Sequence, residues 1–264
     1  MHYASLASGS RGNCHAISAG GQTLLIDAGI SLRQIKLRME SLGMRHADVL
    51  GVAITHEHSD HSNAIPVILN RTAWSILAVP DTLAAIEADR RIEVPTSRWL
   101  PLKPGSETRF GPFSVLPFSI PHDVADPVAF RIEADGAAIA VMTDLGQATR
   151  LAAEYAKGLD VLVVESNHDM EMLREGRYPD HLKARIMSRV GHLSNDACAA
   201  FLGRVLSPSV KHVVLAHLSE ENNDPALARL SAGEAIAKTG HSPALHVALQ
   251  DVPLEVGEFG GARG

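Results

Sequence analysis

A dense group of metal-ligand side chains directly follows an apolar run near position 50, and it constrains the fold more than any other feature. The run, Val49–Thr55, has the composition and length of a buried strand. Three imidazoles and one carboxylate follow it: His56, His58, Asp60 and His61. A solvated polar loop seldom acquires this spacing by chance. Because alternate residues of an extended segment point the same way, His56 and His58 can bind one ion. Asp60 and His61 follow the turn and can face a second ion.

Other predicted strands also end in residues that can bind metal. Taken alone, each of these would be read as a surface or capping residue, but together with the histidine group they form one set. His-rich ligation suits zinc, and the aspartates also admit manganese or iron, so we expect two divalent ions per chain. The further ligand candidates are His122 after Phe113–Ile120, Asp144 at the end of Ala137–Thr143, and His217 at the end of His212–Ala216.

The order of apolar runs and helical patterns favours an α/β fold. Hairpins and βα units are mixed in the first and last thirds, which favours a four-layer αβ/βα sandwich of two mixed β-sheets with helices on the outer faces. We expect a single domain over residues 1–264, with a frayed Gly-rich tail over 258–264. Further predicted strands are Thr23–Ile26, Val161–Glu165 and Leu245–Leu249, and the predicted helices are Ser31–Leu42, Pro80–Arg90, Asp180–Val190, Asn195–Leu206 and Pro225–Lys238.

Composition limits the cellular setting. Two cysteines without a CxxC pair, no leader-like N-terminus and no apolar run long enough to span a bilayer predict a cytoplasmic protein without a membrane partner. A net charge of −6 argues against a broad basic face that wraps duplex DNA. It leaves open a local positive cleft.

The HxHxDH pattern at 56–61, together with Asp27 in Leu24–Gly29, resembles the metallo-β-lactamase superfamily, and the resemblance runs from Ser8 to Asn223. Asp144 stands where zinc β-lactamases carry Cys, which disfavours an antibiotic-degrading lactamase. His58 stands where flavodiiron proteins carry Glu, which disfavours redox chemistry at a di-iron site. The resemblance implies that His56, His58 and His122 bind one ion, that Asp60, His61 and His217 bind the other, and that Asp144 bridges the two.

Four flanking motifs narrow the resemblance. The segments at 7–13, 165–169, 191–195 and 217–223 together look like the YycJ (WalJ) group, which implies a DNA exonuclease acting from 5′ ends. The spacing from Asp144 to His217 leaves no room for the inserted domain of ribonuclease J. The resemblance thus implies DNA or another phosphodiester as substrate.

A pair of divalent ions can make a bridging hydroxide available as a nucleophile. Two divalent ions outweigh the negative charge of Asp60, Asp144 and that hydroxide, and the remaining positive charge favours a phosphodiester. By analogy with a Glu–His pair near the ribonuclease Z site, we expect His192 to donate a proton to the leaving oxygen and Glu165 to orient the His192 ring. Alternatively, Glu165 is only a surface charge at a strand end, and His192 is only a polar residue that precedes a helix. The expected catalytic residues are Asp60, His192 and Glu165.

Polar loops around this site either contact substrate or make plain turns. The 8–13 loop can offer N–H groups and a guanidinium to a phosphate, and the pair at 222–223 can shape the substrate edge. Asp27 is expected to orient a ligand histidine from behind rather than to bind metal, and His168 is left unassigned. The expected substrate-binding residues are Ser8, Ser10, Arg11, Asn13, Asn222 and Asn223.

Three functions remain compatible with the sequence. The first is a phosphodiesterase, specifically a 5′-to-3′ DNA exonuclease. The second is a small-molecule hydrolase acting on a cyclic phosphate or thioester, which the lack of an aromatic stacking strip keeps open. The third is a metal-binding regulator without turnover, which the intact ligand set disfavours.

Overall fold

The computed structural model describes residues 1–260, which contain two seven-stranded mixed sheets. The first has the order β14-β1-β2-β3-β4-β5-β6 and the second β13-β12-β11-β10-β9-β8-β7. The strands of the first sheet are β1 His2–Ala7, β2 Cys14–Ala19, β3 Gln22–Ile26, β4 Val49–Ala53, β5 Ser75–Ala78, β6 Trp99–Pro101 and β14 Leu254–Glu258. Those of the second are β7 Thr108–Phe110, β8 Phe113–Ser119, β9 Val128–Ala134, β10 Ala137–Met142, β11 Val161–Glu165, β12 His212–Ala216 and β13 Ala244–Val247.

Helices connect the strands and cover the outer faces of the sheets. Side-chain caps fix several of their starts: Ser31 and Ser194 accept hydrogen bonds from the backbone N–H groups of Gln34 and Ala197. The helices are α1 Leu32–Ser41, α2 Ser59–Ser62, α3 Ile65–Arg71, α4 Pro80–Arg90, α5 Arg150–Tyr155, α6 Met170–Glu175, α7 Asp180–Ile186, α8 Asn195–Val205 and α9 Pro225–Thr239, with short 3₁₀ turns at His46–Asp48 and Thr96–Arg98.

Three apolar clusters separate these layers. One lies between the two sheets and includes Tyr3, Phe113 and Phe130. A second packs the other face of the second sheet against α5, α8 and α9, and a third packs the first sheet against α1, α3 and α4. Helix, sheet, sheet and helix therefore form four layers, and the predicted αβ/βα sandwich is confirmed.

Several element ends differ from those predicted. Strand β4 ends at Ala53, two residues before the predicted end at Thr55. Helix α7 ends at Ile186 rather than at Val190, because the chain turns back there and the amide of His192 donates to the Ile186 carbonyl. The chain near 258 is also ordered, unlike the frayed tail that was expected. Glu258 pairs with His2 on the sheet edge and the Phe259 side chain is buried, whereas residues 261–264 of that tail lie outside the described residues.

Parallel pairing sets where the site forms. Strands β3 to β6 are mutually parallel, as are β10 to β13. The carboxyl ends of β4, β10, β11 and β12 therefore deliver the loops that follow them to one edge of the sandwich. Within residues 1–260, no helix combines the length and the apolar character needed to cross a bilayer.

Candidate metal centre

All seven ligand candidates meet at this edge of the sandwich. His56 and His58 follow β4, α2 carries Asp60 and His61, and the other three follow β8, β10 and β12. Ligand atoms within each of the following groups lie within 4.8 Å of one another: His56 with His58 and His122; Asp60 with His61 and His217; and His56 with His61 and Asp144.

Asp144 lies between the two histidine groups. One of its carboxylate oxygens, Oδ2, is 3.0 Å from Nε2 of His61, and the other, Oδ1, is 3.6 Å from Nε2 of His122. The same Oδ1 is 3.5 Å from Nδ1 of His217. A single buried carboxylate can therefore reach ligands of both groups, which is the position that a bridging ligand needs.

Three imidazole nitrogens in the centre make no hydrogen bond. The Nε2 atoms of His56, His122 and His217 are buried and make no hydrogen bond within the described residues. A buried polar atom without a partner is costly, and native proteins seldom leave several together. A divalent cation accepts such lone pairs, so the donor set fits a metal ion.

The other nitrogen of each of four rings is held from behind. Asp27 Oδ2 lies 2.7 Å from Nδ1 of His61, and Glu165 Oε1 lies 2.7 Å from Nδ1 of His217. The Gly191 carbonyl accepts from Nδ1 of His122 at 3.2 Å, and the Thr55 hydroxyl lies 3.0 Å from Nδ1 of His56. Acceptors behind Nδ1 turn Nε2 toward the centre and fix the tautomer that can bind metal.

The backbone is left-handed at three positions of the site. Asp27, Asp144 and His217 have φ of 62°, 55° and 56°. Non-glycine residues adopt this conformation rarely, at some cost in free energy, and Asp and His are among those that tolerate it best. The chain thus turns sharply as each strand ends and keeps the functional side chain at the edge.

Gly29 allows the HxHxDH segment to sit against the neighbouring loop. A Cβ atom at Gly29 would lie 1.7 Å from the Asp60 carbonyl oxygen, so no side chain fits there. The same carbonyl accepts from the Asn13 amide at 2.7 Å, and the Asn13 carbonyl accepts from Gly29 at 2.9 Å. The backbone around Asp60 is therefore fixed on two sides.

Carboxylates raise the proton affinity of two of the candidate ligand histidines. Burial opposes protonation of His217, but Asp144, Asp60 and Glu165 outweigh it and bring its pKa to about 10. The pKa of His61 is raised in the same way, against burial, chiefly by Asp144 and Asp60. A divalent cation bound by these residues would displace such protons, because a metal ligand must be deprotonated.

Glu165 and His192 form a hydrogen-bonded pair beside the ligand candidates, and Glu165 is fully buried. Burial opposes ionisation of Glu165, yet the positive charges of His192 and His217 and their hydrogen bonds lower its pKa to about 2. Glu165 Oε1 lies 2.9 Å from Nδ1 of His192, while Oε2 accepts backbone N–H bonds from Leu145 and Leu193. Burial lowers the pKa of His192, but Glu165 reverses the effect and raises it. The His192 side chain is 23% exposed and lines an open cleft above the centre.

The expected substrate loop at 8–13 reaches this cleft only through Ser10. Ser8 is buried, and its hydroxyl accepts from the His217 amide at 2.7 Å. Arg11 turns away and forms ion pairs with Glu220 and Asp251. The structure therefore places Ser8 in support of a ligand and uses the charge of Arg11 elsewhere.

Asn13 is fully buried beside the ligands. Its side-chain oxygen accepts from the Gly9 amide at 3.0 Å, which directs Nδ2 toward the centre. That Nδ2 lies 3.1 Å from Nε2 of His61 and 3.5 Å from Oδ2 of Asp60. Asn13 therefore contacts the ligand candidates His61 and Asp60 rather than the open cleft.

The expected pair at 222–223 is buried and does not line the cleft. Asn223 Nδ2 donates to the carbonyls of Ser166 and Asn167 at 2.8 and 3.0 Å, which ties two loops together. Asn222 is 1% exposed. His168, left unassigned by sequence, is also buried, which lowers its pKa to about 4 and keeps it neutral.

Sequence reasoning missed one whole side of the cleft. Three of its residues, Leu182, Arg185 and Ile186, lie on α7 at the spacing of successive helical turns, and Tyr178 lies just before this helix. That spacing was a signal that could have found them, once the segment was known to precede the turn carrying His192. The missed lining residues are Asp123, Asn167, Tyr178, Leu182, Arg185, Ile186 and Ser219.

Comparison with known proteins shows which family this chain resembles. Residues 22–218 match the model of the beta-lactamase superfamily domain. The chain is 35% identical over 240 residues to exodeoxyribonuclease YycJ of Bacillus anthracis, covering 91% of this chain and 90% of that protein. It is 33% identical over 237 residues to exodeoxyribonuclease WalJ of Streptococcus pneumoniae strain D39, covering 89% and 88%.

A solved structure gives the same fold. Zn²⁺-bound PqqB from Methylobacterium extorquens superposes with a TM-score of 0.73 at 20% identity, covering 96% of this chain and 99% of that one. The chain therefore belongs to the beta-lactamase superfamily, a family of metal-dependent hydrolases with the metallo-β-lactamase fold. Within that superfamily it groups with the YycJ and WalJ proteins. Divalent metal is thus implied both by the family and by the donor set.

Proposed function

We propose that this chain is a 5′-to-3′ DNA exonuclease that uses two divalent ions. The observation that carries the proposal is a buried donor set fit for cations, below a cleft that is lined by His192 and with the buried Glu165 bonded to His192. His56, His58 and His122 would hold one ion, and Asp60, His61 and His217 the other. Asp144 would bridge them, since its oxygens reach toward both groups.

Charge supports an anionic substrate. Two divalent ions would bring four positive charges, and Asp60, Asp144 and a metal-activated hydroxide together carry only three negative ones. When bound, the ions supply Lewis acidity and an activated water for attack on phosphorus. The naming of two relatives as exodeoxyribonucleases supports DNA as the phosphodiester.

His192 is the proposed proton donor to the leaving oxygen. Its Nδ1 is engaged by Glu165, which leaves Nε2 for the substrate. The pKa of His192 is raised above its ordinary value, which increases the protonated fraction of this ring near neutral pH, as a general acid requires. Glu165 orients the ring and stabilises its charge without touching the substrate. Asp60, as a ligand, would hold one ion beside the reacting phosphate.

The test uses DNA and RNA strands labelled at either end, with and without a 5′-phosphate, assayed separately with zinc and manganese. We expect metal-dependent shortening of DNA from the 5′ end, and no shortening by His56→Ala, which removes a ligand. Faster turnover of RNA, a cyclic phosphate or a thioester would assign another substrate class. Metal binding without turnover of any of these would instead indicate a regulator.

A further inference from the structure

One part of the cleft lining carries chemistry that the proposed reaction does not use. Segment 174–190, here called the cleft wall, includes α7. It lines the cleft with an aromatic ring, two aliphatic side chains and a guanidinium, and the metal ligands His58, Asp60, Asp144 and His217 line the same cleft. The wall residues in the lining are Tyr178, Leu182, Arg185 and Ile186.

The cleft wall is fastened to the metal centre. A Cβ atom at Gly191 would lie 2.2 Å from the Arg185 carbonyl oxygen, so the backbone after the wall packs directly on the end of α7. His192 donates its amide to Ile186 at 2.9 Å, and Gly191 accepts from the ligand His122 at 3.2 Å. The wall therefore stands at a set distance from the ions' site, as a preorganised binding surface does.

Arg185 is held at the cleft by the residue that follows a ligand. Its Nε donates to Oδ2 of Asp123 at 2.5 Å and its Nη2 to Oδ1 at 3.1 Å. A guanidinium has five N–H donors, so three remain after this pair, and its side chain is 53% exposed. The pair also offsets the one carboxylate of the lining that is not a ligand candidate. Arg185 can thus bind a phosphate while it stays in place.

The charge of the cleft wall is opposite to that of the chain. It contains five basic side chains and two acidic ones, a local excess of three positive charges in a chain of net charge −6. Such a segment attracts a polyanion more than a small neutral ligand. The basic residues are Arg174, Arg177, Lys183, Arg185 and Arg189, and the acidic ones are Glu175 and Asp180.

We propose that the cleft wall binds the single-stranded DNA next to the scissile phosphate, with Tyr178 stacked on a base and Arg185 on a neighbouring phosphate. The proposal rests on the proposed function and adds how its substrate is held. Single-stranded DNA is favoured because a base must leave its stack to meet a ring inside a cleft. Leu182 and Ile186 supply apolar surface for the sugar and the base.

Four variants test the wall. Tyr178→Ala should raise KM for single-stranded DNA about tenfold, the size of one lost stacking contact, while Tyr178→Phe keeps the ring and should stay near wild type. Arg185→Gln should raise KM and reduce the salt dependence of binding by about 0.7 in log–log slope, the value for one phosphate on a single strand. Arg177→Gln is the matched control, because Arg177 is exposed, lies on the same segment and is not in the cleft lining.

Two further measurements separate this proposal from the function on which it rests. Hydrolysis of bis-p-nitrophenyl phosphate by the wild type, which needs the metal centre but no strand bound along the wall, reports on the proposed function alone. Binding of a labelled phosphorothioate strand to the metal-loaded protein reports on the wall without cleavage. If the wild type cleaves neither single-stranded DNA nor bis-p-nitrophenyl phosphate but Tyr178→Ala still weakens strand binding, the exonuclease proposal is wrong and the proposed strand-binding role of the cleft wall is supported.

The opposite result overturns the wall. That result is wild-type KM and strand binding in Tyr178→Ala and Arg185→Gln, in a protein that degrades DNA. Equal losses in Arg185→Gln and Arg177→Gln also contradict the proposal, since they would indicate general attraction rather than a site. Preserved circular dichroism and metal content in every variant keep misfolding out of the comparison.

Discussion

Glu165 holds His217 through a 2.7 Å contact between Oε1 and Nδ1, and it does so from the floor of the metal centre, fully buried. The same oxygen receives His192 at 2.9 Å. One carboxylate atom therefore supports both a ligand candidate and the proposed proton donor. Because Glu165 supports both rings, its replacement should affect metal binding and turnover together, whereas replacement of one histidine should affect mainly one of them.

Glu165→Gln should weaken metal binding at the site of His217 and also slow turnover. An amide offers at most one neutral oxygen where two imidazoles now meet a carboxylate, and losing such a supporting contact typically costs about 10–100-fold in metal affinity. Competition with a fluorescent chelator measures the affinity. Glu171→Gln, on an exposed position of α6, is the control. Wild-type affinity and rate in Glu165→Gln would show that the carboxylate does not support these rings.

His192→Ala should retain metal and fold but lose about 10²–10⁴ in kcat, the usual contribution of a general acid. A nitrophenolate leaving group needs little protonation, so its release should be largely spared. Steady-state kinetics on DNA and on bis-p-nitrophenyl phosphate give the comparison. Equal losses on both substrates would exclude a proton-donor role, and an emptied metal site would make His192 a ligand.

Asp144→Ala should remove more metal than any single histidine replacement, because the proposed bridge serves both ions. Elemental analysis of wild type purified without chelators should approach about two ions per chain, as in two-metal hydrolases. His58→Ala, which removes a ligand of one ion only, is the comparison. A wild-type protein that stays folded and takes up neither zinc nor manganese would contradict the site itself.

Stability of the metal-free protein should fall in mild acid because of His15. Burial is the main cause that lowers the pKa of this imidazole to about 3, and Tyr3 OH lies 2.9 Å from its Nδ1. Since the folded pKa lies below the unfolded value near 6.5, the contribution is complete above that value. It is lost as the pH falls toward 3, at about 1.4 kcal/mol per pH unit.

Urea unfolding in EDTA at pH 6.5 and pH 5 measures this effect. His15→Gln should lower the pH dependence of the free energy of unfolding by about 2 kcal/mol over that interval. His181→Gln, at an exposed position of α7, is the matched control. Identical pH dependence in wild type and His15→Gln would show that His15 does not stay neutral in the folded state.

Local chemistry explains how much of the site sequence could predict. The seven ligand candidates follow strands or sit in one short segment, so hydrophobic periodicity and residue type were enough to find them. Arg11 could not be assigned correctly in this way, because its partners Glu220 and Asp251 lie more than 200 positions away. The same holds for Asn223, whose amide bonds to two loops that only the fold brings near.

Fold details failed to appear in the sequence for a similar reason. The αβ/βα layering follows from alternating strands and helices, but nothing local shows that β14 returns to pair with β1. Phe259 reads as part of a polar, Gly-rich tail until its contact with the inter-sheet core is known. Arg185 likewise reads as a solvated helix charge until Asp123 is placed beside it.

The left-handed backbone at Asp27, Asp144 and His217 has a consequence for how this sequence can drift over generations. Each position must satisfy two filters at once, since few side chains both accept that backbone and do the chemistry. Asp144→Glu would keep a carboxylate but place a less tolerant residue in the turn. A descendant that abandoned its metals would still be expected to retain Asp, Asn, His or Gly at these positions. These residue types would thus persist after the loss of activity, because the backbone conformation alone still requires them.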